Sequence, residues 1–572
     1  MTPADVTGRR STGLVAAGIL VSRLTGLVRE RALAHYLGAG GAADAFTVAF
    51  RIPNLLQHLL GEGVLSASFI PVYSRLLAQG RHRDAGRVAS AVLGLLLLAA
   101  GGLTLLGVLL AEPLTVLVAA GLRARPEVFD LTVDLVRIMF FAVGLLVVSA
   151  WCLGVLNSHG RFFLSYVAPA LFNAVQVVTL VVAAHYLLTG VDGGGPLGVA
   201  LQEDLVRWLG IGTVVGGAVQ LAVQLPAVVR LTRGLRPVPR VRVPGVPDVL
   251  RAFGPVVAAK GVVQISTYLQ VLLASFLAAG ALATLRYAQV LYMLPISLFG
   301  MAVAAAALPR LSAEGSTDTD DAVARERTLR RVDAGLGRVA ALVVPTATGY
   351  LVVGDLVTAT LFQTGAFGRL EVLAVWLVLA GFTVGLVATT SGRLLQAALF
   401  ATGDTRVPAV TATVRVVVSL ALGAVLMLQL DRLVLDADGL RVVGDLPAFT
   451  PLPADERDDV AGLVRLGAVG IALASGVAAW VELVLLRRAV GRRLGRVRLG
   501  GGQLGRIVLA AVAAAVVLVP LRPLLLRLPP ELEGVVAIVL FALVYLPVAR
   551  LLGVREVMEV LAGLARRLRR RV

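Results

Sequence analysis

Apolar residues in this chain come in long runs, and polar residues crowd into the short segments between them. A bilayer-spanning helix needs about 20 mostly apolar residues. Runs of that kind fall at 12–34, 43–73, 88–118, 130–155, 163–189, 207–230, 250–278, 282–308, 335–361, 371–399, 407–430, 463–486, 505–521 and 534–552, which predicts about 14 transmembrane helices. No segment shows the period-two alternation of a half-buried strand, and open sheet could not satisfy its backbone groups in lipid. The expected fold class is all-α integral membrane. Pro53, Pro169, Pro226, Pro255, Pro295 and Pro345 lie inside these runs and predict kinked helices.

The polar segments alternate in charge. Arg75, Arg81, Arg83 and Arg87 follow the second run, and Arg230, Arg233, Arg236, Arg240 and Arg242 follow the sixth. Arg325, Arg327, Arg330 and Arg331 follow the eighth run. Arg487, Arg488, Arg492, Arg493, Arg496 and Arg498 follow the twelfth, and the tail ends on Arg566, Arg567, Arg569, Arg570 and Arg571. Segments on the other side are poor in arginine or acidic: 190–206 holds Asp192, Glu203 and Asp204, and 431–462 holds Asp431, Asp436, Asp438, Asp445, Asp455, Glu456, Asp458 and Asp459. Positive charge marks cytoplasmic loops, so both termini are expected in the cytoplasm. Arg9 and Arg10 precede an apolar run as in a secretory signal, but Arg23, Arg29, Glu30 and Arg31 follow it in place of a cleavage site, which reads as a first transmembrane helix.

The proline-rich, basic stretch RPVPRVRVPGVP at 236–247 divides the chain. The expected organisation is an N-terminal six-helix half at 1–235, a basic cytoplasmic linker at 236–248, a C-terminal six-helix half at 249–500, and two extra helices with a basic tail at 501–572. Two six-helix halves around a central cationic cavity suggest a transporter. Composition agrees: 58% of the 572 residues are hydrophobic and 15% charged, too few polar groups to cover several water-facing domains. The net charge of +18 is spread over many short loops, which argues for topology and anionic lipid attraction, not a nucleic-acid partner. One cysteine, Cys152, excludes a disulfide framework and a cysteine-built zinc site. No GxxxxGK[ST], HExxH or GxSxG motif is present, so neither an enzyme nor a bound metal or cofactor is expected.

Ionisable residues inside a membrane are costly and mark functional cavities. The first two runs concentrate them: Arg23, Arg29, Glu30, Arg31, Asp44, Arg51 and Glu62. Asp44 and Arg51 are two helical turns apart and share a face. Arginines in a wet cavity can fork onto phosphate oxygens, with mutual Arg–Asp pairing and snorkelling as the structural alternative. Lys260, the one lysine, lies too deep in the seventh run for easy snorkelling and is expected in the cavity. Arg286 is either a cavity residue or an interfacial anchor. Arg415 and Glu482 lie in the eleventh and twelfth runs, where they can pair with each other.

Segment 22–77 resembles the opening of the MurJ/MviN family, bacterial lipid II flippases of the multidrug/oligosaccharidyl-lipid/polysaccharide exporter superfamily. The resemblance rests on SR-x-x-G-x-x-R-[DE] (Ser22, Arg23, Gly26, Arg29, Glu30), GAG…ADAF ending at Phe46, and F-R-x-P-N-L-L…GEG…F-x-P from Phe50 to Pro71. Later matches are QIS at Gln264–Ser266, LPISLFGMAVAAAALPRLS at 294–312, LFQTGAFG at 361–368 and ALFATGDTRVP at 398–408. The resemblance implies flipping of undecaprenyl-pyrophosphate-linked peptidoglycan precursor from the cytoplasmic to the periplasmic leaflet of the inner membrane, with other cell-wall synthesis proteins as further partners. Arg23, Arg29, Asp44, Arg51, Asn54 and Glu62 fall on family motif positions. It implies pyrophosphate contacts for Arg23 and Arg29, and for Asp44 a cavity arginine or the ligand's sugar or peptide. Many relatives have a basic pair where Gln57 and His58 stand, and an arginine at Val290; Arg286 and Lys260 could replace that charge. Some relatives bind sodium with a seventh-helix carboxylate, but 252–300 contains no Asp or Glu. The competing readings are an exporter of another polyprenyl-linked glycan or a drug, and a membrane transferase or non-transporting scaffold.

Overall fold

The protein is described here by a computed structural model. It describes residues 3–60, 62–189, 198–232, 234–300, 322–401, 403–436, 438–458, 462–499 and 503–558. The side chains of 3–17, 19, 56, 58, 59, 62, 63, 258–260, 262, 263, 265, 266, 300, 322–324, 454 and 458 lie outside that description. So do Asp192, Arg233, Asp459, positions 301–312 of the 294–312 motif, and the tail arginines at 566–571.

The described parts of the segments expected to cross the membrane are helical almost throughout, with 43–73, 88–118 and 371–399 each made of two helices, and 301–308 lie outside the described residues. Among the described residues, ten helices are long and apolar enough to span a bilayer, or 11 if the pair Arg369–Thr383 and Leu386–Ala401, bent by 44°, is one span. The expected 14 is not reached by this measure. The other expected spans are the helices α1 (Pro3–Leu37), α2 (Gly41–Leu60) with α3 (Glu62–Ala78), and α9 (Val246–Ser275). These carry Arg23, Arg29, Glu30, Arg31, Asp44, Arg51, Glu62 and Lys260, whereas Arg286, Arg415 and Glu482 lie in helices that pass the measure. The six prolines expected to kink spans all lie within helices. Pro295 ends α10 (Ala281–Pro295) and is followed by a π-helical turn, Ile296–Gly300.

The chain forms two compact units: unit 1 is Met1–Leu282 with Thr364–Phe367, and unit 2 is Ala283–Gln363 with Gly368–Val572. Unit 1 is built round α6 (Pro126–Ser158), whose neighbours include α2, α3, α4 (His82–Leu109), α7 (Phe162–Leu188) and α8 (Val199–Thr232). The first half of this helix carries Asp130, Asp134 and Arg137, but beyond Arg137 it is almost wholly apolar and buries Trp151, Cys152 and Val155 completely. Small residues let its neighbours approach. A Cβ on Gly107 of α4 would lie 2.0 Å from the Phe140 ring, and one on Gly212 of α8 would lie 2.5 Å from Thr179 Oγ1.

One end of unit 1 gathers the α3–α4 turn, the α6–α7 turn and the end of α8. Tyr73 OH lies 3.0 Å from His159 Nε2, and the Arg236 N–H donates to Ser90 Oγ at 3.3 Å. Burial, with the neighbouring His82, lowers the pKa of His159 beside Tyr73. Arg75, Arg81, Arg83, Arg87, Arg161, Arg230, Arg236, Arg240 and Arg242 all belong to these segments.

In unit 2 the helix Ala322–Phe362 is kinked at Val353 (φ −131°, ψ 21°). The last two long helices, Leu504–Leu518 and Pro530–Leu551, pack on it through Leu356, Ile507, Ala511, Leu518 and Ala537. An ionic cluster ties the same elements: Asp355 Oδ2 accepts from Arg369 at 3.0 Å and Arg522 at 2.8 Å, and Arg369 reaches Glu533 at 3.4 Å. The helices Arg369–Thr383 and Gly467–Leu494 approach closely, and past the end of the first a Cβ on Gly385 would lie 2.5 Å from the Cα of Gly476.

The acidic segment 431–462 differs from the all-helical expectation. Strands β1 (Leu433–Asp436), β2 (Gly439–Val442) and β3 (Val464–Arg465) form an antiparallel sheet in the order β2-β1-β3. The β1–β2 turn pairs Asp436 with Gly439 at φ +118°, a backbone region that favours glycine. The sheet follows the Arg406–Asp431 helix: β1 and β2 lie between apolar runs, and β3 takes the first residues of the run expected at 463–486, ahead of the helix that begins at Gly467.

Candidate functional site

Arg23 and Arg29 sit six residues apart on α1 and therefore point to different surroundings. Arg23 is exposed, as are Leu20, Leu24 and Val28 beside it. Arg29 turns inward. Its Nη1 donates to Asn173 Oδ1 at 3.1 Å and Gln176 Oε1 at 3.4 Å, and its Nη2 meets Glu30 Oε1 at 2.6 Å. The guanidinium lies 5.7 Å from the centre of the Phe50 ring, within cation–π range. The network continues to both sides: Asn173 Nδ2 donates to Thr25 Oγ1 at 3.3 Å, and Gln176 Nε2 to Thr213 Oγ1 at 2.7 Å. The buried Nε of Arg29 has no hydrogen-bond partner among the described residues, so one donor is unspent.

Asp44 is 1% exposed near the start of α2. Its Oδ2 accepts the Gly280 N–H at 2.7 Å and lies 3.8 Å from Arg125 Nη1. Arg125 Nη2 also donates to the Leu277 carbonyl at 2.6 Å. Gly280 is held at φ +87°, where a Cβ would strike the carbonyl of Ala39 at 1.8 Å. Asp44 thus fastens α2 to the turn before α10 and engages Arg125, a residue the sequence reading passed over because it lies between apolar runs. Asn173 and Gln176 were missed for the opposite reason: they are neutral amides inside one.

Arg51 is half-buried, and its carbonyl accepts the Tyr268 hydroxyl at 2.5 Å, joining α2 to α9 two turns beyond Lys260. Asn54 lines a crevice of about 10 Å³ with Phe50, Gln57, Met139 and Thr213, room for one water at most. Glu62 begins α3 and Lys260 lies in α9; their side chains are outside the described residues. Arg286 is half-buried in α10 and belongs to unit 2. Elsewhere in unit 2, Arg415 and Glu482 pair as expected, with Nη1 and Oε2 3.0 Å apart. Gln396 Nε2 donates to Glu482 Oε1 at 2.9 Å, and Tyr292 OH to Thr389 Oγ1 at 2.9 Å, with Arg415 Nη2 3.4 Å from the same threonine.

The family model described as lipid II flippase MurJ matches residues 33–437. This chain belongs to the MurJ family. The match takes in Asp44, Arg51, Asn54, Glu62, Lys260 and Arg286 and starts after Arg23 and Arg29. The lipid II flippase MurJ of Burkholderia cenocepacia is 31% identical over 483 residues, covering 84% of this chain and 83% of its own. The fold is that of MurJ and its superfamily. A solved structure of lipid II flippase MurJ in an inward closed conformation matches with a TM-score of 0.69 at 20% identity, over 94% of this chain and 98% of that one. An inward-facing multidrug resistance MATE family transporter of the MOP superfamily matches with a TM-score of 0.59 at 14% identity, over 82% of this chain and 95% of that one. MurJ proteins are transporters of the bacterial inner membrane, and this chain is likewise a multi-pass membrane protein without an enzyme's role.

Proposed function

We propose that this chain flips lipid II, the undecaprenyl-pyrophosphate-linked peptidoglycan precursor, from the cytoplasmic to the periplasmic leaflet by alternating access. The observation that carries this is its membership of the MurJ family, with a flippase relative matched along 84% of this chain. The chemistry of the charged residues is suited to the task. The ligand's pyrophosphate is anionic, and Arg23, Arg29, Arg51, Lys260 and Arg286 offer cationic donors for it. Asp44, Asn54 and Glu62 offer groups for its sugar and peptide. The polyprenyl tail stays in lipid, along the two C-terminal helices. In this reading 1–235 and 249–500 are the halves that alternate, and 236–248 is their cytoplasmic linker. The decisive experiment is complementation of a bacterium depleted of its lipid II flippase, with the leaflet distribution of the precursor as readout. Rescue with precursor reaching the outer leaflet is expected, and Lys260→Ala should impair it at unchanged protein level. Growth without outward movement of the precursor would sink the proposal.

A second reading, export of another polyprenyl-linked glycan, is favoured by Val290 and by Gln57 and His58 at positions where many relatives are basic. It predicts no rescue.

The proposal also fixes orientation, with both termini in the cytoplasm and 431–462 in the periplasm. Phe449 is 81% exposed in that segment, and the native cysteine is buried. An impermeant maleimide should label Phe449→Cys in intact spheroplasts. Labelling only after permeabilisation would invert the topology.

A further inference from the structure

At the arginine-rich end of unit 1, the α6–α7 turn and the last turns of α8 enclose a cavity of about 490 Å³. Arg161 lines it from the turn and Arg230 from α8, with Phe162, Phe163, Ala227 and Leu231 between them and no acidic residue in the lining. Both arginines are exposed, and neither side chain has a protein partner among the described residues. Arg81 at the same end, by contrast, meets Asp84 at 3.0 Å. The cavity takes in the first turn of α7, which has no side-chain cap and adds partial positive charge. Gly160, at φ +71°, makes the tight turn that delivers Arg161 to this position. The cavity is separate from the Arg29 network, because Asn173 lies roughly 14 Å further along α7 than Leu164 at 1.5 Å per residue.

Two uncompensated guanidinium groups beside aromatic and aliphatic walls suit a ligand that is anionic at one end and apolar at the other. A free anion would use the arginines and leave Phe163, 49% exposed, and Leu231 without a role. We propose that this cavity binds the phosphate of an anionic phospholipid through Arg161 and Arg230, with its acyl chains against Phe163 and Leu231. Guanidinium forks match phosphate oxygens in pairs, whereas a zwitterionic lipid would bring its own cation into a site that already holds two.

The test is retention of phosphatidylglycerol by the purified full-length protein, read by native mass spectrometry without lipid II. Removing both charges in Arg161→Gln/Arg230→Gln should weaken retention of one lipid roughly thirtyfold, and each single variant about fivefold. Arg161→Lys/Arg230→Lys should keep most of the affinity. Arg236→Gln/Arg240→Gln removes the same charge from the nearby linker and should have little effect. Equal losses in the two glutamine pairs would replace the site by diffuse surface charge, and no loss in the first would abolish it. Millimolar inorganic phosphate should leave the lipid bound; displacement would reassign the cavity to a soluble phosphate. Should the double variant fail to fold, the single variants carry the same test. Transport plays no part in the assay, so failure of the flippase reading would leave its outcome intact.

Discussion

Arg29→Ala is expected to abolish complementation of a flippase-depleted bacterium while the protein still inserts in the membrane. Arg29 holds Glu30 and Asn173 at once and keeps Nε in reserve. A charge-assisted hydrogen bond to a ligand is worth about 1.5–3 kcal/mol, a loss of roughly 10- to 150-fold in affinity. The same substitution takes a partner from Glu30, which is 5% exposed, and breaking a buried ion pair costs about 3–5 kcal/mol. Arg29→Ala/Glu30→Ala separates the two effects. If Arg29 binds pyrophosphate, the double variant should regain its melting temperature and remain inactive. If it only balances Glu30, stability and export should return together. Arg29→Lys should rescue in part, since a point charge cannot span both partners. Arg23→Ala should lose export with little change in stability, because Arg23 is exposed. Normal export by both alanine variants would remove these arginines from the ligand site.

The largest effect on stability is expected at Glu482. Its two oxygens accept from Arg415 at 3.0 Å and Gln396 at 2.9 Å. Glu482→Ala strands a guanidinium inside unit 2 and should cost about 3–5 kcal/mol, visible as a lowered melting temperature in detergent. Arg415→Met/Glu482→Leu replaces both charges by apolar side chains and should recover most of that loss. An equal or deeper loss in the double variant would show that the pair is not what stabilises these helices.

The helices were legible because lipid imposes one pattern, an apolar run with its backbone bonds closed internally. The Arg415–Glu482 pair was legible because two opposite charges in adjacent runs have few other partners. The sheet was not: β1 and β2 have four residues each and β3 two, too short for an alternation to register within an acid-rich segment. The partners of the functional charges were also hidden. The sequence offers Asp44 the arginines of α1 and α2 as partners; the structure also brings it Arg125 and Gly280, from segments 81 and 236 residues away. Only tertiary packing carries that information. The motif named Arg29 but could not say that two amides of α7 would hold it.

The glycine seam of unit 2 constrains how this sequence can drift. A side chain on Gly385 meets the backbone of Gly476 at 2.5 Å, and one on Gly476 meets the Gly381 carbonyl and the Gly385 nitrogen at 3.0 Å. In each case the obstacle is main chain, which no compensating side-chain change can remove. Neither position has a permissible first step, and changing both together worsens the clash. A contact of this kind leaves no correlated substitutions behind. Methods that infer proximity from residues varying in concert will be blind to this seam, because its two members have nowhere to go.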